Sequence, residues 1–390
     1  MNTKRVLPVL FAVMFMVMVG FGIIIPVLPF YAEELGASPT ELGLLMATYS
    51  IMQFIFSPLW GGVSDRIGRK PVLLIGIAGL SLSFFMMAFA SSLWMLFAAR
   101  IIGGMLSAAN MPTVTAYVAD VTSEENRSKG MGVVGAAVGL GFIFGPAIGG
   151  VFSEQDLAIP FLLAGASSIL TFFLVIFVLK ETVNLQENVS TAKTKRPSLI
   201  NGVKGKSAPL FILQGFVSIS LAGLEATFAY FAFAKASLGT VELGYIFMIM
   251  GFAGAIVQGG LVGKMTKKFG EGNVIKIGII TSIIGFGLIL FVQNFLTAAI
   301  FLSVFGIGNG LIRPSVSSLL TKQATSGYGQ VTGLLSSFDS LGRIIGPPLG
   351  GLLYGLAIYL PYVSGMILSA FALIVYFYYE TKVKHTHLKV

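Results

Sequence analysis

Five ionisable side chains interrupt otherwise apolar stretches of this sequence: Arg100, Glu225, Arg313, Asp339 and Arg343. Ionisable groups in apolar, membrane-spanning segments are costly, so they occur where they meet a partner or a polar cavity. Two of the five are carboxyl groups, and burial in a low dielectric disfavours the charged form of a carboxyl group. The set predicts proton coupling, with Glu225 as the principal proton or cation site; the alternative is a structural acid bonded to a neighbouring helix.

Two hypotheses also stand for Asp339 and Arg343, which are one helical turn apart in the sequence. Side chains four residues apart on a helix are neighbours, so the two charges could simply neutralise each other. Counting about 1.5 Å per residue along each predicted helix places Asp339 and Arg313 at similar depths. The second hypothesis is therefore that Asp339 exchanges between Arg313 and Arg343 during function.

The elements that position these side chains are predicted from composition. Hydrophobic residues form 55% and charged residues 11% of the 390-residue chain, against roughly 25% charged residues in a typical soluble domain. Uncharged runs recur at the length of about 20 residues that a membrane-spanning helix needs. We predict an all-α integral membrane protein with twelve transmembrane helices, which begin near residues 6, 41, 71, 93, 129, 157, 208, 242, 273, 296, 329 and 360. The chain has no cysteine, and we expect no metal site.

The distribution of charge predicts the orientation of the helices. The chain has 25 Lys and Arg against 16 Asp and Glu, and the basic residues are concentrated in alternate predicted loops. Cytoplasmic loops of membrane proteins carry an excess of Lys and Arg. We therefore predict a multi-pass membrane protein with both termini in the cytoplasm. The net charge of +9 then reflects topology, and we expect the lipid bilayer, and no nucleic acid, as a partner.

An internal repeat divides the chain. GFIFGPAIGG at residues 141–150 recurs as GRIIGPPLGG at residues 342–351, 201 positions later. Near the same offset, TELGLLM at residues 40–46 matches VELGYIF at residues 241–247. We predict two pseudo-symmetric six-helix bundles, the parallel repeat of one large transporter class.

The domain boundaries follow from the one polar, basic stretch that resembles a linker. We place an N-terminal bundle at residues 1–180, a cytoplasmic linker at 181–208 and a C-terminal bundle at 209–390. Within the linker, NGVKGKS at residues 201–207 superficially resembles a phosphate loop, but Ile200 occupies the first glycine position and no strand precedes it. We expect no ATP and no other cofactor.

The glycine-proline signature predicts close helix packing. Glycines spaced by four residues line one helix face, and small faces allow membrane helices to approach each other closely. The proline removes a backbone donor and bends the helix. The residues concerned in the first half are Gly132, Gly141, Gly145, Pro146, Gly149 and Gly150. Tight packing without a role in transport is the alternative, but repetition of the signature favours a moving interface.

The loop GGVSDRIGRKP at residues 61–71 predicts a charge latch. Asp65 can pair with Arg66 or Arg69, and Asp120 is a further candidate partner. The matching stretch GGLVGKMTKKFGEG at residues 259–272 keeps the glycines and basic residues but has no acid at the position that corresponds to Asp65. We therefore expect only the first half to carry the latch. The predicted gate comprises Asp65, Arg66, Gly68, Arg69 and Asp120.

These motifs, together with GIIIPVLP at residues 22–29 and RIIGG at residues 100–104, resemble those of the major facilitator superfamily. More narrowly, the chain resembles twelve-helix drug:proton antiporters, multidrug exporters of the Bmr and NorA kind. The resemblance covers nearly the whole chain, and it implies a location in the cell membrane of a bacterium, the bacterial plasma membrane. It implies the export of amphipathic, often cationic drugs in exchange for protons, driven by the proton gradient and without enzyme activity.

The resemblance also implies roles for particular residues. Arg100 matches the family's arginine in the fourth helix, and Glu225 and Arg313 match the acid and base of the seventh and tenth helices. These exporters tend to have an acid three residues before Arg313, where this chain has Gly310. Asp339 is the candidate substitute for that acid.

An adaptable aromatic wall is typical of promiscuous binding sites. We predict that a substrate cavity is lined by Tyr31, Gln53, Asn110, Phe142, Phe228 and Phe305. We expect a monomer. The alternatives to drug export are an exporter of one metabolite such as a sugar or an amino acid, a proton-coupled uptake symporter, and a membrane sensor that transports nothing.

Overall fold

Helices form almost all of the structure. A computed structural model describes residues 3–182, 207–322 and 328–387, and no strand occurs among them. The helices before residue 183 are α1 (Thr3–Glu34), α2 (Pro39–Ile67), α3 (Arg69–Ala88), α4 (Leu93–Ser107), α5 (Asn110–Val121), α6 (Glu124–Phe152) and α7 (Ile159–Val178). Those after residue 206 are α8 (Ala208–Ala236), α9 (Thr240–Ile256), a π-helix (Val257–Leu261), α10 (Val262–Ile289), α11 (Phe295–Lys322), α12 (Tyr328–Leu356) and α13 (Leu360–His387).

These helices confirm the predicted all-α membrane fold. Within the described ranges, ten helical segments are long and apolar enough to cross a membrane. One of them, Thr240–Ile289, contains both the eighth and the ninth predicted spans, and the backbone leaves helical geometry inside it at Gly270, where φ is 77°. The predicted fourth span is divided into α4 and α5, and the predicted eleventh span is α12. Most of the predicted linker, residues 183–206, lies outside the described residues.

The chain divides into two compact units. The first contains residues 1–37, 45–193 and 239–248, and the second contains residues 38–44, 194–238 and 249–390. In the first unit, α1 packs on α6 and α3 packs on α4, α5 and α7. In the second unit, α8 packs on α12 and α13, while α10 packs on α11 and α13. The pairing of α1 with α6 thus recurs as the pairing of α8 with α12.

The glycine faces of α6 and α12 touch the backbone of their partner helices. A methyl group at Gly145 would lie 2.7 Å from the carbonyl oxygen of Val19 in α1. A methyl group at Gly346 would lie 2.5 Å from the carbonyl oxygen of Ile219 in α8. Gly132 differs, because it is exposed and no heavy atom lies within 4 Å of the methyl position. Close helix approach therefore requires the glycines of the repeated signature, but not Gly132.

The glycine of the repeated ELG motif contacts the same glycine-proline signature. A methyl group at Gly244 would overlap the carbonyl group of Pro146, within the first unit. A methyl group at Gly43 would overlap the carbonyl group of Pro347, within the second unit. These two glycines occupy equivalent positions in TELGLLM and VELGYIF. Their recurrence in the sequence reflects a backbone contact with the proline-containing helix in each case.

The second half has gained one residue between the ELG motif and the following loop. Gly244 lies 201 positions after Gly43, whereas Gly270 lies 202 positions after Gly68. Both loop glycines have positive φ, 110° at Gly68 and 77° at Gly270. The π-helix Val257–Leu261 lies in this interval, and its wider turn accommodates an additional residue within a continuous helix. The loop at Gly270 and helix α11 therefore correspond to the first half at an offset of 202, whereas the glycine-proline signature on α12 corresponds at 201.

The first turn of α3 is capped by a distant carboxylate. Glu181 accepts hydrogen bonds from the backbone N–H groups of Arg69 at 2.9 Å and Lys70 at 3.0 Å. A negative charge at a helix N-terminus satisfies free N–H groups and interacts favourably with the helix dipole. A side chain at Gly68 would overlap the Glu181 carboxylate. The Tyr117 hydroxyl donates to the carbonyl oxygen of Lys180, so the segment after α7 is held against α3 and α5.

The glycine contacts predict that an added side chain destabilises the protein at some glycine positions and not at others. We expect Gly145→Ala to destabilise the protein by about 1–3 kcal/mol, because α1 must move away from α6. Gly139→Ala is the matched control on α6, since its methyl position is open. The measurement is the thermal unfolding midpoint of the purified protein in detergent. Equal midpoints for the two variants would contradict close packing at Gly145.

The Glu181 contact predicts a capping effect. We expect Glu181→Ala to lower the stability of the first unit by about 1 kcal/mol, because two N–H groups of α3 lose their acceptor. Limited proteolysis and thermal unfolding of the purified protein would measure the effect. Glu154→Ala removes an exposed acid from the same unit as a control. If both variants unfold like the unmodified protein, Glu181 does not stabilise α3.

Candidate functional site

Two acid–arginine pairs lie in the second unit, on α8, α11 and α12. The tighter pair joins Asp339 Oδ2 to Arg313 Nη2 at 2.6 Å. The other carboxylate oxygen of Asp339 accepts hydrogen bonds from Gln214 Nε2 and Ser218 Oγ, each at 2.7 Å. Asp339 therefore has one oxygen in close ionic contact with Arg313, but without a hydrogen bond among the described residues, and the other oxygen bound by two neutral donors of α8.

The looser pair joins Glu225 to Arg343. Glu225 Oε2 lies 3.9 Å from Arg343 Nη1, and the Glu225 side chain is only 4% exposed. Oε1 of Glu225 is buried and has no hydrogen-bond partner among the described residues. A buried polar atom without a partner is costly. Glu225 is thus the less completely satisfied of the two carboxyl groups.

This geometry distinguishes between the hypotheses for Asp339. Its ion pair runs from α12 to Arg313 on α11 rather than along α12 to Arg343. Arg343 instead lies beside Glu225. The simple pair along one helix turn is therefore not the arrangement found. Exchange of Asp339 between the two arginines stays a prediction.

Gly310, at the position where the resemblance leads one to expect an acid, packs closely against a neighbouring helix. Gly310 of α11 faces Gly254 of α9, and a methyl group at Gly310 would lie 3.1 Å from the Gly254 carbonyl oxygen. A carboxylate side chain at position 310 would require the two helices to separate. Asp339 reaches Arg313 from α12 instead.

Arg100 has a different environment, in the first unit. It is 3% exposed, and its Cζ lies 4.4 Å from the centre of the Tyr49 ring. Its Nε has no hydrogen-bond partner among the described residues. The Tyr49 hydroxyl is bound to Ser107 Oγ at 2.7 Å and accepts from Gln53 Nε2 at 3.2 Å. Arg100 therefore contacts an aromatic face, with no carboxylate within 4 Å in the part of the chain described.

The predicted gate residues come together around Arg69. Its Nη1 lies 2.5 Å from Asp65 Oδ1, and its Nε lies 3.1 Å from Asp120 Oδ2. Nη1 also donates to Ser64 Oγ at 2.7 Å. Arg66 is exposed, and no ion pair of Arg66 is found in the described ranges. The latch thus contains Asp65, Arg69 and Asp120, and its role as a gate stays a prediction.

The second unit carries a corresponding pair with the charges exchanged. Glu271 pairs with Lys322, and Glu271 Oε1 accepts from Ser318 Oγ at 3.1 Å. Glu271 and Lys322 lie 202 positions after Arg69 and Asp120. The expectation that only the first half carries a charge pair is therefore wrong. The acid of this pair corresponds to Arg69 rather than to Asp65, whose counterpart at the same offset is Lys267, so the lack of an acid at the Asp65 position did not exclude a pair.

Sequence reasoning also missed residues that complete these sites. Gln214 and Ser218 were not identified; they lie eleven and seven residues before the predicted Glu225 on α8, a spacing that places all three on one helix face. That polar stripe was a usable signal. Glu181 was assigned to the linker by composition, and no local pattern identified it as the cap of α3.

Six residues were predicted to line a substrate cavity: Tyr31, Gln53, Asn110, Phe142, Phe228 and Phe305. Phe228 and Phe305 are buried within their own unit, at 0% and 2% exposure, and the Phe305 ring centre is 4.7 Å from that of Phe286. The Tyr31 hydroxyl donates to the carbonyl oxygen of Met87 at 2.9 Å. These three side chains therefore have evident structural contacts.

The other three lie nearer to polar or partly exposed surroundings. Gln53 donates to Tyr49, and Phe142 stacks on Phe21 with a ring-centre distance of 6.0 Å. Asn110 is 1% exposed, and its side-chain amide has no hydrogen-bond partner among the described residues. The assignment of all six to a substrate cavity stays a prediction.

Solved structures share this fold. The human organic anion transporter MFSD10 has a TM-score of 0.69 and 24% identity, over 96% of this chain and 100% of that chain. The nucleoside transporter NupG has a TM-score of 0.79 and 15% identity, over 98% of this chain and 100% of that chain. At these identities the similarity shows the fold alone.

Curated relatives are more similar in sequence. Multidrug resistance protein 2 of Bacillus subtilis (strain 168) is 32% identical over 364 residues, which cover 92% of this chain and 91% of the relative. Quinolone resistance protein NorA of Staphylococcus aureus (strain MSSA476) is 31% identical over 355 residues, which cover 90% of this chain and 91% of the relative. A family model described as Major Facilitator Superfamily matches residues 10–328 and 259–389. The chain belongs to the Major Facilitator Superfamily of membrane transporters.

Proposed function

We propose that this transporter exports amphipathic, often cationic drugs in exchange for protons. The observation that carries the proposal is the buried Glu225 carboxyl group, with Oε1 unbonded and Oε2 3.9 Å from Arg343. The names of the relatives, multidrug and quinolone resistance proteins, support drugs as the substrate class. They do not specify the coupling ion.

The Glu225 environment suits an exchange of cations. A single buried carboxylate is neutralised either by a bound proton or by a cationic group on a ligand. Because the Arg343 contact is long and Oε1 has no partner, neither form is fixed by a complete hydrogen-bond network. Binding of a cationic drug then favours release of the proton, and protonation favours release of the drug.

Asp339 supplies a second group that can link protonation to conformation. Protonation would remove the charge that holds Arg313 at 2.6 Å. The hydrogen bonds from Gln214 and Ser218 to Oδ1 of Asp339 need no charge on either partner. Proton binding at Asp339 would therefore release Arg313, which is 60% exposed, while α12 stays bonded to α8.

The remaining features of the proposal rest on the sequence. The excess of basic residues in alternate loops supports a location of both termini in the cytoplasm, and the bacterial relatives support a bacterial plasma membrane. We propose that transport occurs by alternating access in a monomer, that the proton gradient supplies the energy, and that no ATP or other cofactor takes part.

If Glu225 and Asp339 couple transport to protons, replacing either carboxyl group by an amide should alter proton-driven transport. We expect Glu225→Gln to reduce proton-driven export of a cationic dye by about tenfold or more, because the amide cannot bind and release a proton. Asp339→Asn should weaken the dependence of transport on pH while dye binding persists. The measurement is dye transport in inverted membrane vesicles with an imposed pH gradient, at matched expression.

Glu125→Gln is the control, since it removes an exposed acid at the start of α6. If the Glu225→Gln variant exports the dye as fast as the unmodified protein does, Glu225 is not the coupling site. Dye movement in the same direction as protons would indicate a symporter. No dye transport, with transport of one sugar or amino acid, would indicate a metabolite exporter, and no transport of any substrate would favour a sensor.

A further inference from the structure

A basic surface of the second unit takes no part in the proposed coupling pairs. Lys264, Lys267 and Lys268 lie in α10 just after the π-helix, and all three side chains are exposed. Residues three and four positions apart on a helix are neighbours, so the three lysines share one helix face. No carboxylate lies within 4 Å of their ammonium groups in the described part of the chain. These three residues are called the lysine face below.

The nearest acid in the sequence does not neutralise the lysine face. The backbone leaves helical geometry at Gly270, and Glu271 follows on the next helical segment. Glu271 pairs with Lys322, and its Oε1 accepts from Ser318 Oγ at 3.1 Å. Like charges three or four residues apart destabilise a helix. The lysine face therefore carries a repulsion that a bound anion would relieve.

The corresponding loop of the first unit has a different charge pattern. At the offset of 202, Lys264 and Lys267 correspond to Gly62 and Asp65. Asp65 pairs with Arg69, which also pairs with Asp120. The first loop thus balances much of its charge internally. The second loop instead presents three positive charges for which the described ranges supply no counter-ion.

Exposed apolar residues border the lysine face. Leu261, three residues before Lys264, is 45% exposed, and Ile256 is 66% exposed. Both belong to the segment Thr240–Ile289, which is long and apolar enough to cross a membrane. Gly260 is exposed, and no heavy atom lies within 4 Å of its methyl position. An acyl chain can therefore lie against the helix backbone at this point.

The depth of the lysine face follows from this sequence of residues. Three residues of helix separate Leu261 from Lys264, which is about 4.5 Å along the axis. Phe269 is 47% exposed, and Lys268 Nζ lies 5.2 Å from the centre of its ring. Lysine side chains at a membrane boundary keep their methylene groups on apolar surface and extend the ammonium group into the polar region. The lysine face thus lies at the depth of the lipid headgroups.

We propose that the lysine face binds the headgroup of an anionic phospholipid, whose acyl chains contact Ile256, Gly260 and Leu261. Lysine binds phosphate groups as a point charge, and basic residues next to a membrane-spanning helix attract anionic lipids. Phosphatidylcholine has the same phosphate group but no net charge, so phosphatidylglycerol should bind more tightly. The inference goes beyond the proposed function, because it concerns neither the exported substrate nor the proton.

The test compares these two lipids at one labelled position. The chain has no cysteine, so Gly263→Cys, at an exposed and open position, accepts a single bimane fluorophore. The full-length protein is reconstituted into phosphatidylcholine vesicles that contain a small fraction of brominated phosphatidylglycerol or brominated phosphatidylcholine. We expect the phosphatidylglycerol to quench the label with an affinity about threefold higher or more. Gly61→Cys, the counterpart position in the first unit, should show no such preference.

Changes of charge identify the groups responsible. Lys264→Gln combined with Lys268→Gln should remove about half or more of the preference. Lys264→Arg combined with Lys268→Arg should preserve it, because both charges remain. Arg127→Gln combined with Lys129→Gln is the control, since it removes two exposed positive charges from the first unit.

Three outcomes would overturn the lipid site. The first two, equal quenching by both lipids at Gly263→Cys and an equal preference at Gly61→Cys, need no lysine variant to fold. The third is loss of the preference in soluble glycerol phosphate at constant ionic strength, which would show that the lysines bind a small anion rather than a lipid. The assay uses no drug and no proton gradient, so its result is independent of whether Glu225 couples export to protons.

Discussion

The cost of burying charge among apolar helices is the constraint on which this structure depends. Only 11% of the residues are charged, and the few charges inside the helices are compensated to different degrees. Asp339 accepts two hydrogen bonds and lies 2.6 Å from Arg313, Glu225 lies 3.9 Å from Arg343, and Arg100 lies against an aromatic ring. Binding of a proton or a ligand is therefore most favourable at the groups whose charge is least compensated.

Close backbone contact between helices determines the positions of these charged side chains. On α12, Gly342 lies directly against Ser218 and Ile219 of α8. That approach brings the Asp339 carboxylate, one turn earlier on α12, within 2.7 Å of Ser218 Oγ. A side chain at Gly342 would separate the two helices and break this hydrogen bond. The glycine-proline signature therefore supports the charge site as well as the packing of the bundle.

Much of the fold could be predicted from the sequence, because hydrophobic length and repetition are local signals. Glu225, Arg313, Asp339 and Arg343 were also identifiable, since charges in apolar runs are conspicuous. Their partners were not, because the choice of Arg313 over Arg343 depends on how α11 and α12 face each other. The Glu271 pair was missed for a different reason: the two charges have exchanged positions, so the acid stands at the counterpart of Arg69 rather than at that of Asp65.

Proton release on ligand binding tests the central claim most directly. The purified protein in weakly buffered detergent is mixed with tetraphenylphosphonium, and a pH indicator records protons released as binding saturates. Competition between a proton and a cation for Glu225 predicts release of up to about one proton per bound cation, and loss of that release in Glu225→Gln. Saturable binding to the unmodified protein with no proton release at any pH would contradict exchange at this carboxyl group.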